Sequence, residues 1–485
     1  MTEKGYISDI YRQVEELMKK CDSLTKELKE TKSNLNNQIY KLEQENKKLK
    51  IENESLKNEV DRLKKQINND SNNSSNPPST DIKPNLKTIP NNREKSGKKI
   101  GAQVGHKGNS LLKSKIKEKI DSKEYEHVVK DKGNKKNPYK SKYIIDISVK
   151  VIATEYRFHM DENGKYNIPA EFQSDVQYGS EIKTLCSILN TEEIVAINRL
   201  TDFVSSISHG KLNISNGTIV NFINELSRKS KPILQNIEQQ ILNSQVLNTD
   251  ATTARCENKN VCVRNYSADK FTLLKATTGK SKKCIEETGI LNNYHGDLVH
   301  DHETVIYNYG NRHGECNVHV SRYLIGCFEL TQNCWCKDMR NFLLSLNEYK
   351  KKLVYMNIKG ISKNKLEEYS LRYDEILENG YKQNKKVKSQ YNKSEEKKLL
   401  KRLKKYKENH LLFIYDFSIP FDNNLSEREL RHVKNKQKIS GYFKSMKGLQ
   451  NYLDIKSIIL TCKNKSLDFY KMITNIFQNT PVTIS

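Results

Sequence analysis

The sequence predicts an α/β core in the C-terminal half, preceded by an N-terminal coiled coil and a helix-turn-helix-like region. Leucines recur every seven residues from Leu28 to Leu63, which is the repeat of a coiled coil. Short apolar and alternating runs between 245 and 301 are typical of strands, and helical patterns flank them on both sides. The periodicities therefore divide the chain into a long helical N-terminus and a mixed core.

Length and composition exclude several classes of protein. The 485 residues suffice for two to four domains. No apolar run approaches the ~18 uncharged residues of a membrane span, and no apolar segment typical of a signal peptide follows the N-terminus. The ten cysteines have no pairing rhythm, so we expect reduced thiols and a cytoplasmic protein with no membrane contact.

The chain is strongly basic, with 84 Lys and Arg against 59 Asp and Glu and a net charge of +25. Such a charge favours a polyanionic partner such as DNA. Lys, Asn, Ile and Tyr all have A/T-rich codons and are all abundant, so genome composition explains the lysine excess as well. Charge alone leaves both explanations open.

A single helix is predicted over residues 8–68, within a coiled-coil segment 1–69. Position d of its heptads holds Leu28, Leu35, Leu42, Leu49, Leu56 and Leu63, and position a holds Thr25, Lys32, Ile39, Asn46, Asn53, Val60 and Ile67. Asn at position a favours a parallel, in-register dimer. The alternative is a lone amphipathic helix packed on its own domain, but the charged e and g neighbours allow burial of only one narrow seam. We expect self-association through this helix.

Residues 70–110 are predicted to be a flexible linker, because they are rich in Asn, Ser and Pro and nearly devoid of apolar residues. The linker ends in a basic, glycine-containing block at 95–108, which includes Lys98, Lys99, His106 and Lys107. Backbone N–H groups and lysines in such a block can approach DNA phosphates. A solvated basic linker is the favoured interpretation on physical grounds alone.

The segment 111–180 is predicted to contain β structure, because 143–160 alternates in the manner of a strand and a second short strand is expected near Tyr166. Residues 181–235 follow as a helix-turn-helix-like region. A break at His209–Gly210 separates its two helices, and Ser215 is suited to capping the second. The side chains expected to point outward, toward bases or phosphates, are Asn216, Thr218, Asn221 and Asn224. Helix pairs without a DNA role are also common.

The predicted core spans 240–345 and 411–475, with a charged helical insertion at 346–410. Three carboxylates stand at ends of its elements: Asp250 and Asp301 after strands, and Glu427 in the first turn of a helix. Oxygen ligands of this type bind Mg²⁺, and carboxylate-held metal ions are used in phosphodiester chemistry. Spacing alone is weak support, because 59 acidic residues offer many such triples and a solvated acid is the simpler interpretation of each.

Four motifs, in order, make the chain similar to the transposases of the insertion sequence 66 family. The most specific is the run Asp422-Asn423-Asn424-Leu425-Ser426-Glu427-Arg428-Glu429-Leu430-Arg431, which resembles the signature D-N-N-x-x-E-R-x-x-R of that family. The others are the block 97–108, the strand 248–252 with Asp250, and the segment 299–319 with Asp301. The resemblance extends from the zipper almost to the C-terminus.

The resemblance implies a DDE-type transposase with an RNase H-like catalytic core: a mixed sheet with flanking helices and a helical insertion. By this resemblance Asp250, Asp301 and Glu427 are the catalytic residues and hold Mg²⁺ or Mn²⁺. Asn424, Arg428 and Arg431 would contact DNA or support the helix of Glu427. The implied partners are terminal inverted repeats and target DNA, with accessory proteins of the same element as further candidates, and the location would be the nucleoid.

One departure from the family concerns zinc. Family members usually carry a cysteine-based zinc segment before the helix-turn-helix, yet residues 110–185 of this chain contain no cysteine. A structural zinc needs four N or S ligands, which His127 and His159 cannot supply, so no zinc is expected there. Two other functions remain as alternatives: a zipper-dimerised DNA-binding regulator with an inactive nuclease-like core, and a coiled-coil adaptor without a DNA role.

Overall fold

The computed structural model describes residues 3–69, 73, 112–132, 137–170, 172 and 174–484. The basic block, with Lys98, Lys99, His106 and Lys107, lies outside these residues. The described chain divides into two compact units. We call them the helical unit, which includes the N-terminal helix and residues 317–417, and the sheet unit, which includes the chain before 317 from the second helix on and the chain after 417.

The helical unit contains the long N-terminal helix and five further helices. They are α1 (Glu3–Asn68), α8 (Asn317–Thr331), α9 (Trp335–Tyr355), α10 (Lys363–Asn384), α11 (Gln390–Lys405) and α12 (Lys407–Tyr415). The helix predicted for 8–68 is thus confirmed. Its d-position leucines are exposed, by 71% at Leu28, and their pairing with a second chain stays a prediction.

The sheet unit contains the remaining elements. Its helices are α2 (Lys113–Asp121), α3 (Ser180–Thr191), α4 (Ile197–Ile207), α5 (Asn216–Lys229), α6 (Lys231–Leu242), α7 (Lys282–Glu286), α13 (Asn424–Ser440), α14 (Met446–Asn464) and α15 (Phe469–Phe477). Its strands are β1 (Val246–Cys256), β2 (Lys259–Ala268), β3 (Phe271–Thr277), β4 (Asp297–His300) and β5 (His313–Glu315). The first four strands lie where the alternating runs predicted them, whereas the three-residue β5 was not predicted.

The five strands form one mixed sheet in the order β3-β2-β1-β4-β5. Strands β1, β2 and β3 are antiparallel neighbours, and β4 and β5 continue the sheet parallel to β1. On one face of the sheet, Ala254, Val263 and Leu274 pack against Leu430 of α13 and Leu453 of α14. On the other, α3–α6, α14 and α15 cover a larger core. The helix-turn-helix-like region therefore shares a core with the sheet.

The strand predicted over 143–160 is wrong. Among the described residues of 137–170, the only β pairing is an isolated bridge between Met160 and Tyr166. The alternating apolar residues of this segment are exposed, by 89% at Ile147. Alternation gives a strand its two faces, but a strand also needs a neighbouring strand for its backbone hydrogen bonds, and this segment has none among the described residues.

The helical unit is larger than the insertion predicted at 346–410. It already begins at Asn317 and continues to Phe417, because α8 and α9 pack against each other and against α10 and α11. The apolar run 411–415, expected within the core, is buried instead in α12 of the helical unit. No helix within the described ranges is both long and apolar enough to cross a membrane.

Candidate active site

The parallel pairing of β1 and β4 brings two of the three predicted carboxylates side by side. The last paired residues are Asn248 on β1 and Val299 on β4, and Asp250 and Asp301 each lie two residues further along. Because side chains alternate along a strand, equal offsets place both carboxylates on one face of the sheet. Both side chains are half-buried. The strand end predicted at Asp250 is wrong, because β1 continues to Cys256, whereas the strand end predicted before Asp301 is confirmed. The common register of the two strands was not predicted.

Helix α13 begins over this face, and Asn423 joins it to both strands. The Asn423 side-chain amide donates to the carbonyl of Thr249 at 2.9 Å and approaches Asp301 Oδ1 at 3.5 Å, while its oxygen accepts from Asn248 Nδ2 at 3.0 Å. Its backbone N–H donates to Cys316 Sγ at 3.3 Å. Asn423 is fully buried, so it fixes the start of α13 against both aspartate-bearing strands.

Glu427 lies one helical turn after Asn423, and its N–H donates to the carbonyl of Asn423 at 3.3 Å. One ligand atom from each of Asp301, Cys316 and Glu427 lies within 4.8 Å of the others. Asp250 is not among the atoms of this group, and its Oδ1 accepts the N–H of Ala251 at 2.7 Å. The structure therefore brings Asp301 and Glu427 together and places Asp250 on the adjacent strand.

A second glutamate on the same helix has a different role. Glu429 is 2% exposed, and its carboxylate accepts four hydrogen bonds from β2, β3 and α14. The donors are Asn265 Nδ2 at 2.7 Å, Ser267 Oγ at 2.5 Å, Thr272 Oγ1 at 2.8 Å and Asn464 Nδ2 at 3.1 Å. A buried carboxylate with this many donors is well satisfied. Glu429 thus anchors α13 to the sheet and fixes the position of Glu427.

The loop after Asp301 is held by two further buried contacts. Arg264 of β2 forms two hydrogen bonds with Glu303, at 3.0 and 2.7 Å. Glu315 of β5 accepts from Tyr307 at 2.5 Å and lies 2.6 Å from Nδ1 of His302. Burial, with His313 nearby, lowers the pKa of His300 to about 3, so this histidine is neutral at pH 7. These contacts hold the segment that follows Asp301 against β2 and β5.

Two basic side chains contact β1, the strand that bears Asp250. Lys280 donates to the carbonyl of Ala251 at 3.2 Å, and Lys434 of α13 donates to Thr253 Oγ1 at 3.2 Å. Burial, together with the charge of Lys280, lowers the pKa of Lys434, as expected for two nearby cations. Arg428 and Arg431, predicted to contact DNA, are exposed on α13, as is Asn424. Lys280 and Lys434 therefore place positive charge beside the strand of Asp250, which favours a polyanion.

Of the α5 residues predicted to contact DNA, only some are exposed. Ser215 caps the helix as predicted, accepting the N–H of Thr218 at 3.1 Å. Asn216 and Asn221 are exposed and Thr218 is half-buried. The outward orientation predicted for Asn224 is wrong: it accepts a hydrogen bond from Asn451 at 2.6 Å, because this face of α5 packs on α14.

The helical unit holds a second group of metal-ligand types, formed by Cys327, Cys336 and Glu396. The Glu396 carboxylate is already bonded by Trp335 Nε1 at 2.6 Å, by Asn333 at 2.8 Å and by Asn384 at 2.9 Å. These contacts make Glu396 a buried acceptor that organises the helices. This cluster is explained by packing and hydrogen bonding without a metal.

Comparison with known families identifies the family of the chain. The model described as the Transposase IS66 family matches residues 176–451, more than half of the chain. The chain belongs to the IS66 transposase family. Membership indicates a role in transposition, and the match includes Asp250, Asp301 and Glu427.

Two other comparisons assign no further function. A family of unknown function, DUF6444, matches residues 11–111, which covers most of α1 and the predicted basic block and assigns them no activity. No curated protein matches the chain. The IS66 match ends within α14, so it includes every side chain that bonds Asn423 but stops before Asn464, a donor to Glu429.

Several residues of the site were not predicted from sequence. Asn423 stands in the motif that carries the resemblance, and its burial between strands could not be read from that motif. Glu429 differs from Glu427 only in its side of the helix, and no local signal distinguishes an anchored carboxylate from one that faces solvent. Lys280 and Lys434 could not be distinguished from the many other lysines by sequence, because only the fold places them beside β1.

Proposed function

We propose that this protein is a DDE-type DNA transposase that binds the ends of its element and carries out metal-dependent strand cleavage and strand transfer. The observation that carries the proposal is the convergence of Asp301 and Glu427, with ligand atoms within 4.8 Å, on the sheet face that also bears Asp250. Family membership agrees with this use of the three carboxylates.

The donor set fits a hard divalent cation. Mg²⁺ and Mn²⁺ prefer carboxylate oxygens, and Asp250, Asp301 and Glu427 would hold the ion. The thiol of Cys316 is a poor ligand for Mg²⁺ and instead accepts the N–H of Asn423. A bound ion would supply positive charge at the phosphodiester under attack.

The remaining contributions to the reaction come from the chain itself. In the proposed sequence of steps, water attacks a phosphodiester at the element end, and the freed 3′-hydroxyl then attacks target DNA. No covalent bond between protein and DNA is needed. Asn423, Glu429 and the Arg264–Glu303 pair hold the carboxylates in place, and Lys280, Lys434, Arg428 and Arg431 would neutralise phosphates of the bound strands.

The strand order also supports an RNase H-like assignment for the core. Three antiparallel strands are followed by two parallel ones, with one aspartate on the central strand, a second beyond its parallel neighbour and the glutamate on a later helix. We include this fold in the proposal, together with self-association through α1. The basic block 95–108 and α5 are the proposed contacts to the terminal repeats, and accessory proteins of the element are proposed as further partners.

The test uses the full chain and a labelled duplex that carries the inverted repeat expected beside the gene. The proposal predicts nicks at the repeat end that require Mg²⁺ or Mn²⁺ and disappear with a chelator. A chain that binds the repeat but leaves it intact with either metal would contradict the proposal. Substitution Asp301→Asn should remove cutting while repeat binding persists.

A further inference from the structure

The connection between α9 and α10 exposes large apolar side chains at the tip of the helical unit. We call residues 351–365 the tip. Tyr355 is 91% exposed and Met356 is 68% exposed, and every residue from 354 to 360 is exposed. The unit has its own core around Trp335, Leu343 and Leu400. The tip side chains are therefore not needed to complete that core, and grouped exposed apolar residues commonly mark binding sites.

The backbone holds Tyr355 in a defined position. Asn357 adopts a left-handed conformation, with φ of 60°. The N–H of Asn357 bonds to the carbonyl of Val354 at 3.0 Å, and that of Ile358 bonds to the carbonyl of Leu353 at 2.9 Å. This pair of bonds is the Schellman motif, which closes a helix end. Tyr355 is thus presented from an ordered last turn, which reduces the entropy cost of binding.

The tip is uniformly basic. It contains five lysines and no Asp or Glu. Lys351 pairs with Glu348 at 2.7 Å and Lys365 pairs with Glu368 at 2.7 Å. The other three, Lys352, Lys359 and Lys363, have no carboxylate within ion-pair distance in the part of the chain that the structure describes. Their exposed charges are complementary to a polyanion.

A depression lies beside the aromatic ring. It has a volume of about 300 Å³ and is lined by Tyr355, Met356, Lys351, Lys352 and Glu348. Proteins that bind single-stranded nucleic acids combine exposed aromatic rings, on which bases stack, with basic side chains that contact the phosphates. Paired bases in a duplex already stack on each other, so an aromatic platform of this kind is of use to an unpaired strand.

We propose that the tip binds unpaired DNA nucleotides, with a base stacked on Tyr355 and the backbone phosphates on Lys352, Lys359 and Lys363. The inference rests on the proposed function, because cutting element ends is what supplies unpaired DNA. It adds a site in the helical unit that is separate from the carboxylates. Neither family match assigns a role to this connection.

The test measures binding of the full chain to a labelled oligothymidine of about 12 nucleotides and to a duplex of equal length, in chelator so that no cutting occurs. Tyr355→Ala should weaken binding of the single strand by about tenfold, and Tyr355→Phe should keep it. Replacing Lys352 and Lys363 by Ala should reduce the salt slope by about 0.7 per lost phosphate contact. The matched control is Lys401→Ala with Lys404→Ala, which removes equal charge from exposed positions of α11.

Unchanged oligothymidine binding by Tyr355→Ala would overturn the inference. So would an equal loss for the single strand and the duplex, or a control pair that lowers the salt slope as much as the tip pair does. Failure of the proposed function has a different signature, namely the absence of metal-dependent cutting by the wild-type chain. Either failure can occur without the other, because binding in chelator does not depend on the carboxylates.

Discussion

Two glutamates of α13, only two residues apart, illustrate how burial decides the role of a side chain. Glu427 is half-buried beside Asp301, whereas Glu429 is enclosed by four hydrogen-bond donors. The carboxylates of Glu427 and Asp301 lie close together, so they repel each other unless a cation lies between them. The charge of Glu429 is instead neutralised by dipoles of the fold.

Substitution Glu429→Gln should therefore destabilise the sheet unit. The new amide would present a donor to groups that are themselves donors, and about 3 kcal/mol of unfolding free energy should be lost. Glu427→Gln is the matched control, because it relieves repulsion from Asp301 and should leave the melting temperature unchanged or slightly raised. Thermal and urea unfolding measure both variants. A smaller loss at Glu429 than at Glu427 would refute the assignment.

Lys436, a buried lysine of α13, makes the stability of the protein depend on pH. Burial lowers its pKa to about 8, from about 10.5 for an ordinary lysine, while its Nζ donates to the carbonyl and side-chain oxygens of Asn190 at 2.8 and 2.9 Å. Between these pH values the unfolded chain binds more protons than the folded chain. The contribution of Lys436 to stability must therefore rise as the pH rises through that window.

The measurement is the unfolding free energy of the wild type minus that of Lys436→Met, followed from pH 7 to pH 10.5. We expect the difference to shift in favour of the wild type by on the order of 3 kcal/mol across the window. Taking the difference cancels the other lysines and the tyrosines that titrate in this range. Parallel stability curves for the two proteins would show that Lys436 titrates normally.

For single residues, the sequence singled out the three candidate carboxylates but not the side chains that hold them in place. Asp301 directly follows β4 and Glu427 lies in the first turn of α13, as the periodicity predicts, whereas Asp250 lies within β1. The partners of Asn423 and Glu429 on β1 and β2, Asn248 and Thr249 for Asn423 and Asn265 for Glu429, lie more than 150 residues away along the chain. Such contacts depend on the register of the sheet, which no local pattern contains.

Among the elements, helices and strands with a clear period were predicted well, and isolated alternation was not. The hairpin strands β1, β2 and β3 have neighbours close in sequence, so alternation sufficed to find them. The segment 143–160 has the same alternation but lacks a partner strand in the described chain. The three-residue β5 carries too few residues for any period, and only its pairing with β4 defines it.

The N-terminal helix α1 leads to a prediction about assembly. Its exposed leucine seam should make the segment 1–70 a parallel helical dimer, with Asn46 and Asn53 setting the register. Replacing both with Ile should raise the melting temperature and broaden the range of oligomers, because buried Asn costs stability and provides specificity. Circular dichroism and sedimentation test this. A monomer at tens of micromolar would contradict it.

The end of α1 also contacts α11 and the residue that precedes it, within the helical unit. Lys65 pairs with Glu395 of α11, and Asp61 accepts a hydrogen bond from Ser389. The seam positions used for pairing lie elsewhere on the helix, so both contacts are compatible within one chain. Heptad analysis finds the seam but not this attachment, because salt bridges on a polar face leave no periodic signal.

For the whole molecule, the sequence located an insertion between the second and third carboxylates but underestimated its size. Charge density suggested a start at 346, whereas α8 and the first half of α9 already belong to the helical unit. Both helices are apolar enough to resemble core helices, and their true neighbours are α10 and α11. Composition distinguishes polar from apolar segments, but not two cores from each other.

The central claim is that Asp250, Asp301 and Glu427 act together at a divalent metal to cut DNA. The most direct measurement is metal-dependent cleavage of a labelled terminal repeat by Asp250→Asn, Asp301→Asn and Glu427→Gln. Each change keeps the shape of the side chain and removes one charged ligand. Matched controls are Asp269→Asn and Glu257→Gln, two exposed acids in the hairpin turns of the same sheet.

The account predicts that each of the three variants folds, binds the repeat at least as tightly as the wild type because an anion facing DNA is lost, and shows no cleavage or joining. The two controls should cut normally. Cleavage that persists in all three carboxylate variants, or that is lost equally in the controls, would contradict the metal-dependent mechanism.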